Sequence, residues 1–174
     1  MYYTPCCGAP AQKLSPEHYR CPKCQKNHYI NPHAAVAIVL YDQDKYLFLG
    51  RRAKAPNKDK LDCIGGFLDI GENFEEAMIR ELKEETGVLA SRIKDLRIFG
   101  TVHDFYPWEG NQVSCATVYF LAELGSGIKL EAADDVSSIE RVKLSEVAVD
   151  DLAWDGQRKM LELLKTHEAG FLYT

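Results

Sequence analysis

The architecture of this chain can be inferred from one segment, Gly66-Phe-Leu-Asp-Ile-Gly-Glu72-Asn-Phe-Glu-Glu-Ala-Met-Ile-Arg80-Glu81-Leu-Lys-Glu84-Glu85-Thr-Gly87-Val88. The segment predicts a helix over residues 73–86. Asn73 is a good N-cap residue with Glu76 three positions later, and Gly87 supplies the left-handed residue that ends many helices. An apolar stripe with a period of four residues predicts the buried face of this helix: Phe74, Met78 and Leu82.

Three carboxylates share another face of the predicted helix. Glu81, Glu84 and Glu85 stand at i, i+3 and i+4, so their side chains lie next to one another. Like charges at this spacing repel, and a hard divalent cation with oxygen ligands compensates that repulsion. Arg80 stands one turn before Glu84, where it can pair with these carboxylates or with Glu72. The pattern therefore predicts a site for Mg²⁺ or Mn²⁺.

The same segment matches a known family motif, the Nudix box, without a departure. The motif is a glycine, five residues, a glutamate, seven residues, and then Arg-Glu-aliphatic-any-Glu-Glu-any-Gly-aliphatic. The chain therefore resembles the Nudix hydrolases. That resemblance implies an α/β fold, an α/β/α sandwich around a mixed β-sheet. It also implies Mg²⁺-dependent cleavage of a nucleoside diphosphate linked to another moiety, which gives two phosphomonoesters.

The resemblance also assigns roles to residues of the motif. Glu81, Glu84 and Glu85 are expected to hold the metal with the backbone carbonyl of Gly66. Arg80 and Glu72 are expected to hold the preceding loop against the helix. The general base is left open between Glu81 and a carboxylate of a later loop, where the candidates are Glu131, Asp134 and Asp135.

Apolar patterns outside the motif predict the remaining elements. Residues 34–41 and 45–52 predict two strands joined by a polar turn, the first covered on both faces because its apolar run is continuous. Residues 53–63 predict a lysine-rich loop. Further strands are predicted at about 96–104, 113–124 and 139–143, and an amphipathic helix is predicted from about Asp155 to His167. This order indicates a mixed sheet with helices on its faces.

Length and charge limit the domain organisation and the partners. A chain of 174 residues that is 46% hydrophobic can bury one core and carry one small appendage. We predict a zinc-ribbon-like module at residues 1–31 and a Nudix hydrolase domain at residues 32–174. The formal net charge of −5 disfavours nucleic acid as a partner. No membrane span or secretory leader is recognisable, so we expect a cytoplasmic protein.

The N-terminal cysteines suggest a structural Zn²⁺ ion. Cys21 and Cys24 have the spacing of a zinc knuckle. The other half is incomplete, because Thr4 stands where zinc ribbons preceding some Nudix domains have a cysteine. Cys6 and Cys7 are the tentative partners, with His18 or His28 as alternatives. A ribbon held by packing, with free thiols, remains open. The other two cysteines are predicted to be buried: Cys63 and Cys115.

The substrate is suggested by a second resemblance. A ribbon followed by a Nudix box resembles NADH pyrophosphatases, but their Ser-Gln-Pro-Trp-Pro-Phe-Pro stretch is absent after the box. The segment 103–113 looks more like the ADP-ribose pyrophosphatase branch. Tyr106 and Trp108 are candidates for stacking on a base, and Arg51 and Arg52 for contacting phosphates. Homodimers are common among such relatives, so a homodimer is a further expectation.

Four functions remain open at this stage. The leading hypothesis is hydrolysis of a small-molecule nucleotide diphosphate such as ADP-ribose. An NADH or NAD pyrophosphatase, a hydrolase of damaged nucleoside triphosphates, and a non-catalytic Nudix-fold nucleotide sensor are the alternatives. The intact motif disfavours the sensor.

Overall fold

The computed structural model describes residues 2–108 and 110–166. The chain divides into two compact units, Met1–Pro32 and His33–Thr174. Within the described ranges, no helix is long and apolar enough to cross a membrane.

The first unit contains a small antiparallel sheet. Its strands are β1 (Gln12–Lys13), β2 (His18–Arg20) and β3 (Asn27–Tyr29), in the order β1-β2-β3. All four N-terminal cysteines lie outside these strands, at residues 6–7 and 21–24.

The second unit is built on a six-stranded mixed sheet. Its strands are β4 (His33–Tyr41), β5 (Tyr46–Arg52), β6 (Leu61–Asp62), β7 (Ile93–Trp108), β8 (Asn111–Leu124) and β9 (Val136–Lys143). The strand order is β6-β5-β4-β8-β7, and β9 also pairs with β5. The β4–β8 pair is parallel, and the other pairs are antiparallel. In the part of this unit that the structure describes, two α-helices accompany the sheet, α1 (Phe74–Thr86) and α2 (Asp155–Thr166).

Strand β4 is buried on both faces, as its continuous apolar run predicts. Side chains of even number pack into the cluster that contains Met78 and Leu82 of α1. Side chains of odd number from Ala37 onward pack into the cluster that contains Met160 and Leu161 of α2. Each helix therefore covers one face of the sheet, which confirms the predicted α/β/α sandwich.

Several element boundaries differ from the predictions. Strand β7 begins at Ile93, before the predicted residue 96, and β9 begins at Val136, before the predicted residue 139. The strand predicted at about 96–104 continues to Trp108, and β8 begins at Asn111, because the two strands pair as a hairpin as far as Trp108↔Asn111. The polar loop predicted at 53–63 ends earlier, because residues 61–62 pair with β5 as β6. The last helix is described to Thr166, and His167 lies outside the described residues.

Candidate active site

Helix α1 begins and ends where the sequence predicts. Asn73 Oδ1 accepts from the Glu76 N–H at 2.8 Å, and Glu76 Oε2 accepts from the Asn73 N–H at 2.9 Å, which completes a capping box. Gly87 closes the helix with φ of 72°. Met78 and Leu82 are fully buried. Their burial fixes the rotation of the helix and leaves the carboxylate face at the side.

The three carboxylates differ in exposure and in proton affinity. The Glu81 side chain is 13% exposed and that of Glu84 is 48% exposed, whereas Glu85 is buried as a whole residue. Burial, together with the charges of Asp62 and Glu81, raises the pKa of Glu85 to about 8, although the Gly65 N–H donates to its Oε2 at 2.9 Å. Burial also raises the pKa of Glu81. A neighbouring cation would therefore stabilise the ionised form of both carboxylates.

The glycine pair before the helix allows close approach to these carboxylates. A Cβ added to Gly66 would stand 2.5 Å from Oε1 of Glu81, so only glycine fits there with this arrangement. The Gly66 carbonyl accepts from the Val36 N–H at 2.9 Å, which anchors it to β4. A carbonyl oxygen has a second lone pair, which remains for a metal ion.

Arg80 connects the loop, the helix and the carboxylates. Its Nε and Nη2 donate to the two Glu72 carboxylate oxygens at 2.8 and 2.9 Å, and Nη2 also donates to the Phe67 carbonyl. Its Nη1 donates to Glu81 at 2.7 Å and to Glu84 at 3.1 Å. The Arg80 guanidinium lowers the pKa of Glu72 to about 2. This geometry agrees with the pairing expected from the spacing.

The carboxylates line a cavity of about 340 Å³ in the second unit. Glu81, Glu84, Glu85, Gly66 and Arg80 all contribute to its wall. Carboxylate and carbonyl oxygens are the ligands that Mg²⁺ prefers, and two of these carboxylates are poorly hydrated. The donor set therefore fits Mg²⁺ or Mn²⁺.

The two arginines predicted to contact phosphates have internal partners. Arg51 pairs with Glu140 and donates to the Asp59 carbonyl, and it is not part of the cavity wall. Arg52 lines the cavity, and its side chain is 12% exposed. It donates to Asp62 at 2.8 Å and to the Pro56 carbonyl at 2.8 Å.

The two predicted aromatic residues lie in different surroundings. Tyr106 lines the cavity, with its ring centroid 4.9 Å from that of Trp154 and 5.6 Å from that of Phe67. Trp108 is 56% exposed and lies beyond the cavity wall, with its centroid 6.3 Å from that of Tyr106. The structure thus places Tyr106, and not Trp108, in the wall of the cavity that the carboxylates line.

A buried network that the sequence did not indicate supports the far wall. Asp62 accepts from Arg52, from Trp154 Nε1 at 2.9 Å, and from Gln157 Nε2. Burial raises the pKa of Asp62, and these donors oppose that rise. The available sequence signal for this network was Trp154, a tryptophan just before a predicted helix. Its partner Asp62 lies about 90 residues earlier in the sequence, so the contact could not be inferred locally.

Two acidic residues of the segment between β8 and β9 also reach the cavity. Asp134 and Asp135 line its wall, and Lys54 Nζ lies 2.7 Å from Asp135. Their charges contribute to the raised pKa values of Glu81 and Glu85. Glu131, the third candidate of this segment, is not among the lining residues.

The N-terminal unit brings cysteine sulfurs together. Ligand atoms of Cys6, Cys21 and Cys24 lie within 4.8 Å of one another, and Cys7 Sγ lies 3.3 Å from Cys21 Sγ. Of the two histidines considered as alternative ligands, His28 contacts this cluster, because its Nε2 lies 3.6 Å from Cys6 Sγ. The other alternative, His18, donates from its Nε2 to Asn27 Oδ1 at 3.0 Å and stacks on Tyr29. Cys63 and Cys115 are buried, as predicted.

Comparison with known proteins agrees with this fold and helix. The model of the NUDIX domain matches residues 31–164, and the chain therefore belongs to the Nudix family. A solved NUDIX hydrolase from Nitrosomonas europaea superposes with a TM-score of 0.68 at 22% identity, over 96% of this chain and 93% of that protein. At this identity, the likeness concerns the fold alone.

Two curated relatives have more specific names. An ADP-ribose pyrophosphatase of Methanocaldococcus jannaschii is 30% identical over 137 residues, which cover 79% of this chain and 76% of that protein. The NAD-capped RNA hydrolase NudC of Haemophilus influenzae is 35% identical over 124 residues, which cover 70% of this chain and 43% of that protein. The chain thus spans less than half the length of this second relative.

Proposed function

We propose that this protein is a Mg²⁺-dependent nucleotide pyrophosphatase that cleaves the diphosphate bond of ADP-ribose or a similar nucleotide. The observation that carries this proposal is the shared cavity wall. The three helix carboxylates and the carboxylate-bound Arg80 line the same cavity as the aromatic residues Tyr106 and Trp154. One molecule with a diphosphate and an aromatic base can contact both groups.

The proposed reaction is attack of water on one phosphorus atom of the diphosphate. A new P–O bond forms, the bridging P–O bond breaks, and two phosphomonoesters leave. When bound, Mg²⁺ neutralises phosphoryl charge and lowers the pKa of the attacking water. Glu81, Glu84, Glu85 and the Gly66 carbonyl would hold the metal, and Arg80 orients the side chains of Glu81 and Glu84.

The proton of the attacking water requires an acceptor. Glu81 is one candidate, and Asp134 and Asp135 are the others because they line the same cavity. Lys54 Nζ forms a close ion pair with Asp135 at 2.7 Å, whereas it lies 4.0 Å from Asp134 Oδ1. The Asp134 carboxylate is therefore the freer of the two to accept a proton. We therefore assign the base to Glu81 or Asp134. Asp134→Asn distinguishes them: a large loss of turnover assigns the base to Asp134, and nearly full turnover assigns it to Glu81.

ADP-ribose is preferred because of the relative from Methanocaldococcus jannaschii and because the NADH pyrophosphatase stretch is absent after the box. NADH or NAD is the second candidate. It is favoured by the NAD-capped RNA hydrolase relative and by the cysteine-bearing unit before the Nudix domain.

A substrate panel tests the function. The full chain is incubated with Mg²⁺ and ADP-ribose, NADH, NAD, nucleotide sugars, dinucleoside polyphosphates, FAD, CoA and nucleoside triphosphates, and products are identified by mass. We expect AMP and a second phosphomonoester from ADP-ribose. Release of inorganic pyrophosphate from a triphosphate would contradict the proposal. Tight binding without any product would favour a nucleotide sensor.

Matched variants of α1 test the metal assignment. Glu84→Gln and Glu85→Gln are expected to lower turnover at least about 100-fold, because each removes a ligand charge. Glu75→Gln is the control, since Glu75 is exposed on the first turn of the same helix and outside the cavity wall. Unchanged turnover in Glu84→Gln and Glu85→Gln would eliminate these residues as ligands.

We also propose that residues 1–31 form a zinc-ribbon-like module and that residues 32–174 form the Nudix domain. Cys6, Cys21 and Cys24 would supply three ligands to Zn²⁺, and Cys7 would complete a tetrahedral set.

A cytoplasmic location suits six free cysteines. A homodimer is proposed as well, with the exposed Trp108 at its contact, and light scattering tests it.

A further inference from the structure

The cavity extends from the carboxylates over a hollow on one face of the sheet. Small side chains form its floor: Ala35 of β4 pairs with Thr117 of β8, and Cys115 of β8 pairs with Asp104 of β7. Farther along the same face, Met160, Leu161 and Leu164 of α2 fill the space in the core. The hollow therefore lies where the sheet carries small residues, beyond the α2 side chains that fill the core.

The hollow has aromatic walls that are held in place. Tyr106, Trp154 and Phe67 line it, and Asp62 fixes the Trp154 ring through the indole N–H. Arg52 donates to the same Asp62 carboxylate, and its guanidinium carbon lies 4.9 Å from the centroid of the Trp154 ring. A wall of aromatic rings, of which Trp154 is held by a hydrogen bond, suits a flat aromatic group, because little freedom of that ring is lost when the group binds.

Asp104 introduces a carboxylate into this wall. It lies two residues before Tyr106 on β7, so both side chains point to the same face of the sheet. Its Oδ2 accepts from the Gly156 N–H at 2.7 Å, and its Oδ1 accepts from the Phe105 N–H at 2.8 Å. Among the ion pairs of residues 2–108 and 110–166, none includes Asp104.

A carboxylate so arranged can accept further hydrogen bonds. Two oxygens offer about four lone-pair sites, and two of these are occupied by backbone N–H groups. The two backbone bonds hold the group in one orientation. A ligand atom beside Asp104 must be a hydrogen-bond donor, because a phosphate or a carbonyl oxygen would be repelled.

We propose that Asp104 determines base specificity by accepting a hydrogen bond from the 6-amino group of an adenine packed against Tyr106 and Trp154. This inference deepens the proposed function, since it takes the ligand to be a nucleotide. Adenine fits the combination of a flat apolar face and an edge with a donor. A ribose hydroxyl is also a donor, but it has no flat face to place against the aromatic wall.

Binding of a reaction product tests this inference without turnover. The full chain with Mg²⁺ is titrated by calorimetry with AMP and with purine riboside 5′-monophosphate, which has hydrogen in place of the 6-amino group. We expect AMP to bind about tenfold more tightly, the range of one charge-assisted hydrogen bond. Equal affinities would overturn the proposal.

Matched variants assign the effect to the carboxylate. In Asp104→Asn, the acceptor loses its negative charge and one of its two oxygens is replaced by an NH₂ donor, so the preference for AMP should fall to about twofold. Asp95→Asn removes the same charge from an exposed position of the same strand, and it should keep the preference. A full preference in Asp104→Asn would also overturn the proposal.

Two further ligands distinguish other sources of the donor. If GMP binds more tightly than AMP and Asp104→Asn removes that binding, the carboxylate contacts the guanine edge and the adenine assignment is overturned. If 2′-deoxy-AMP binds the unaltered protein as weakly as AMP binds Asp104→Asn, the donor is the ribose hydroxyl, which again overturns the adenine assignment.

These titrations are independent of hydrolysis, so a failed substrate panel leaves their result intact. The comparison of ligands on the unaltered protein also stands if the variant is unstable.

Discussion

The backbone of Gly66 approaches the Glu81 carboxylate so closely that a Cβ at Gly66 would stand 2.5 Å from Oε1. At the neighbouring Gly65, a Cβ would stand 2.2 Å from the carbonyl oxygen of Val36, which belongs to the backbone of β4. The two glycines therefore contact different kinds of atoms, one a movable side chain and the other a fixed strand.

Gly66→Ala is expected to reduce activity more than stability. The Glu81 carboxylate is the end of a flexible side chain, so it can move aside at a cost of about 1 kcal/mol in unfolding free energy. Its displacement from the proposed metal site should lower turnover about 100-fold. Turnover of ADP-ribose and urea unfolding measure the two effects.

Gly65→Ala is the contrasting variant. The backbone of β4 cannot move aside, and Gly65 has φ of 151°, which L residues rarely adopt. We expect a loss of about 3 kcal/mol or more in unfolding free energy. If the two alanine variants lose stability equally, the distinction between these contacts is wrong.

The ion pair of Glu72 with Arg80 should make stability depend on pH. Arg80 lowers the pKa of Glu72 from its ordinary value of 4.5 to about 2. A carboxylate with a lowered pKa stabilises the folded state above the unfolded-state pKa, and this contribution is lost as the pH falls toward the folded-state pKa. Glu72→Gln should therefore lower the melting temperature more at pH 7 than at pH 3. An equal decrease at both pH values would contradict the assignment.

Asp62→Asn should destabilise the protein strongly. Asp62 and Arg52 have side chains that are only 18% and 12% exposed, so the variant leaves a poorly hydrated guanidinium without its counter-charge. We expect a loss of about 3 kcal/mol in urea unfolding. The control is Glu140→Gln, whose partner Arg51 is 31% exposed, and it should cost less than about 1 kcal/mol. Similar losses in the two variants would show that burial of the pair is not the cause.

Zinc content tests the cysteine cluster directly. We expect one Zn²⁺ per chain by elemental analysis, with release on treatment with a strong chelator. Cys24→Ser should lower the zinc content, whereas Cys115→Ser removes a buried thiol of the Nudix domain and should keep it. Protein purified from zinc-supplemented cells without bound metal would favour a ribbon held by packing alone.

Local sequence patterns predicted much of this structure. Helix α1 could be placed to the residue because its capping box and its terminal glycine are local signals. The two-sided burial of β4 followed from its continuous apolar run. Likewise, the pairing of Arg80 with Glu72 and Glu84 followed from spacing within the motif.

Contacts between distant segments could not be predicted in the same way. Asp62 and Trp154 meet only because β6 and the start of α2 pack together, and neither residue has a local pattern that marks it. Arg52 looks like a surface cation at a strand end until this packing buries it. The hairpin that extends β7 to Trp108 likewise depends on pairing with β8, which overrides the low strand preference of Pro107, Gly110 and Asn111.

The parallel pairing of β4 with β8 has a consequence for the order in which the protein folds. Cys115 pairs with His33, so this pair closes a long chain segment that contains all of α1. Closing such a segment costs entropy before its contacts form, which slows folding. A ribosome-bound chain that ends before β8 has α1 but lacks the central pairing of its sheet. We therefore expect a nascent chain to gain protease resistance only after β8 has emerged.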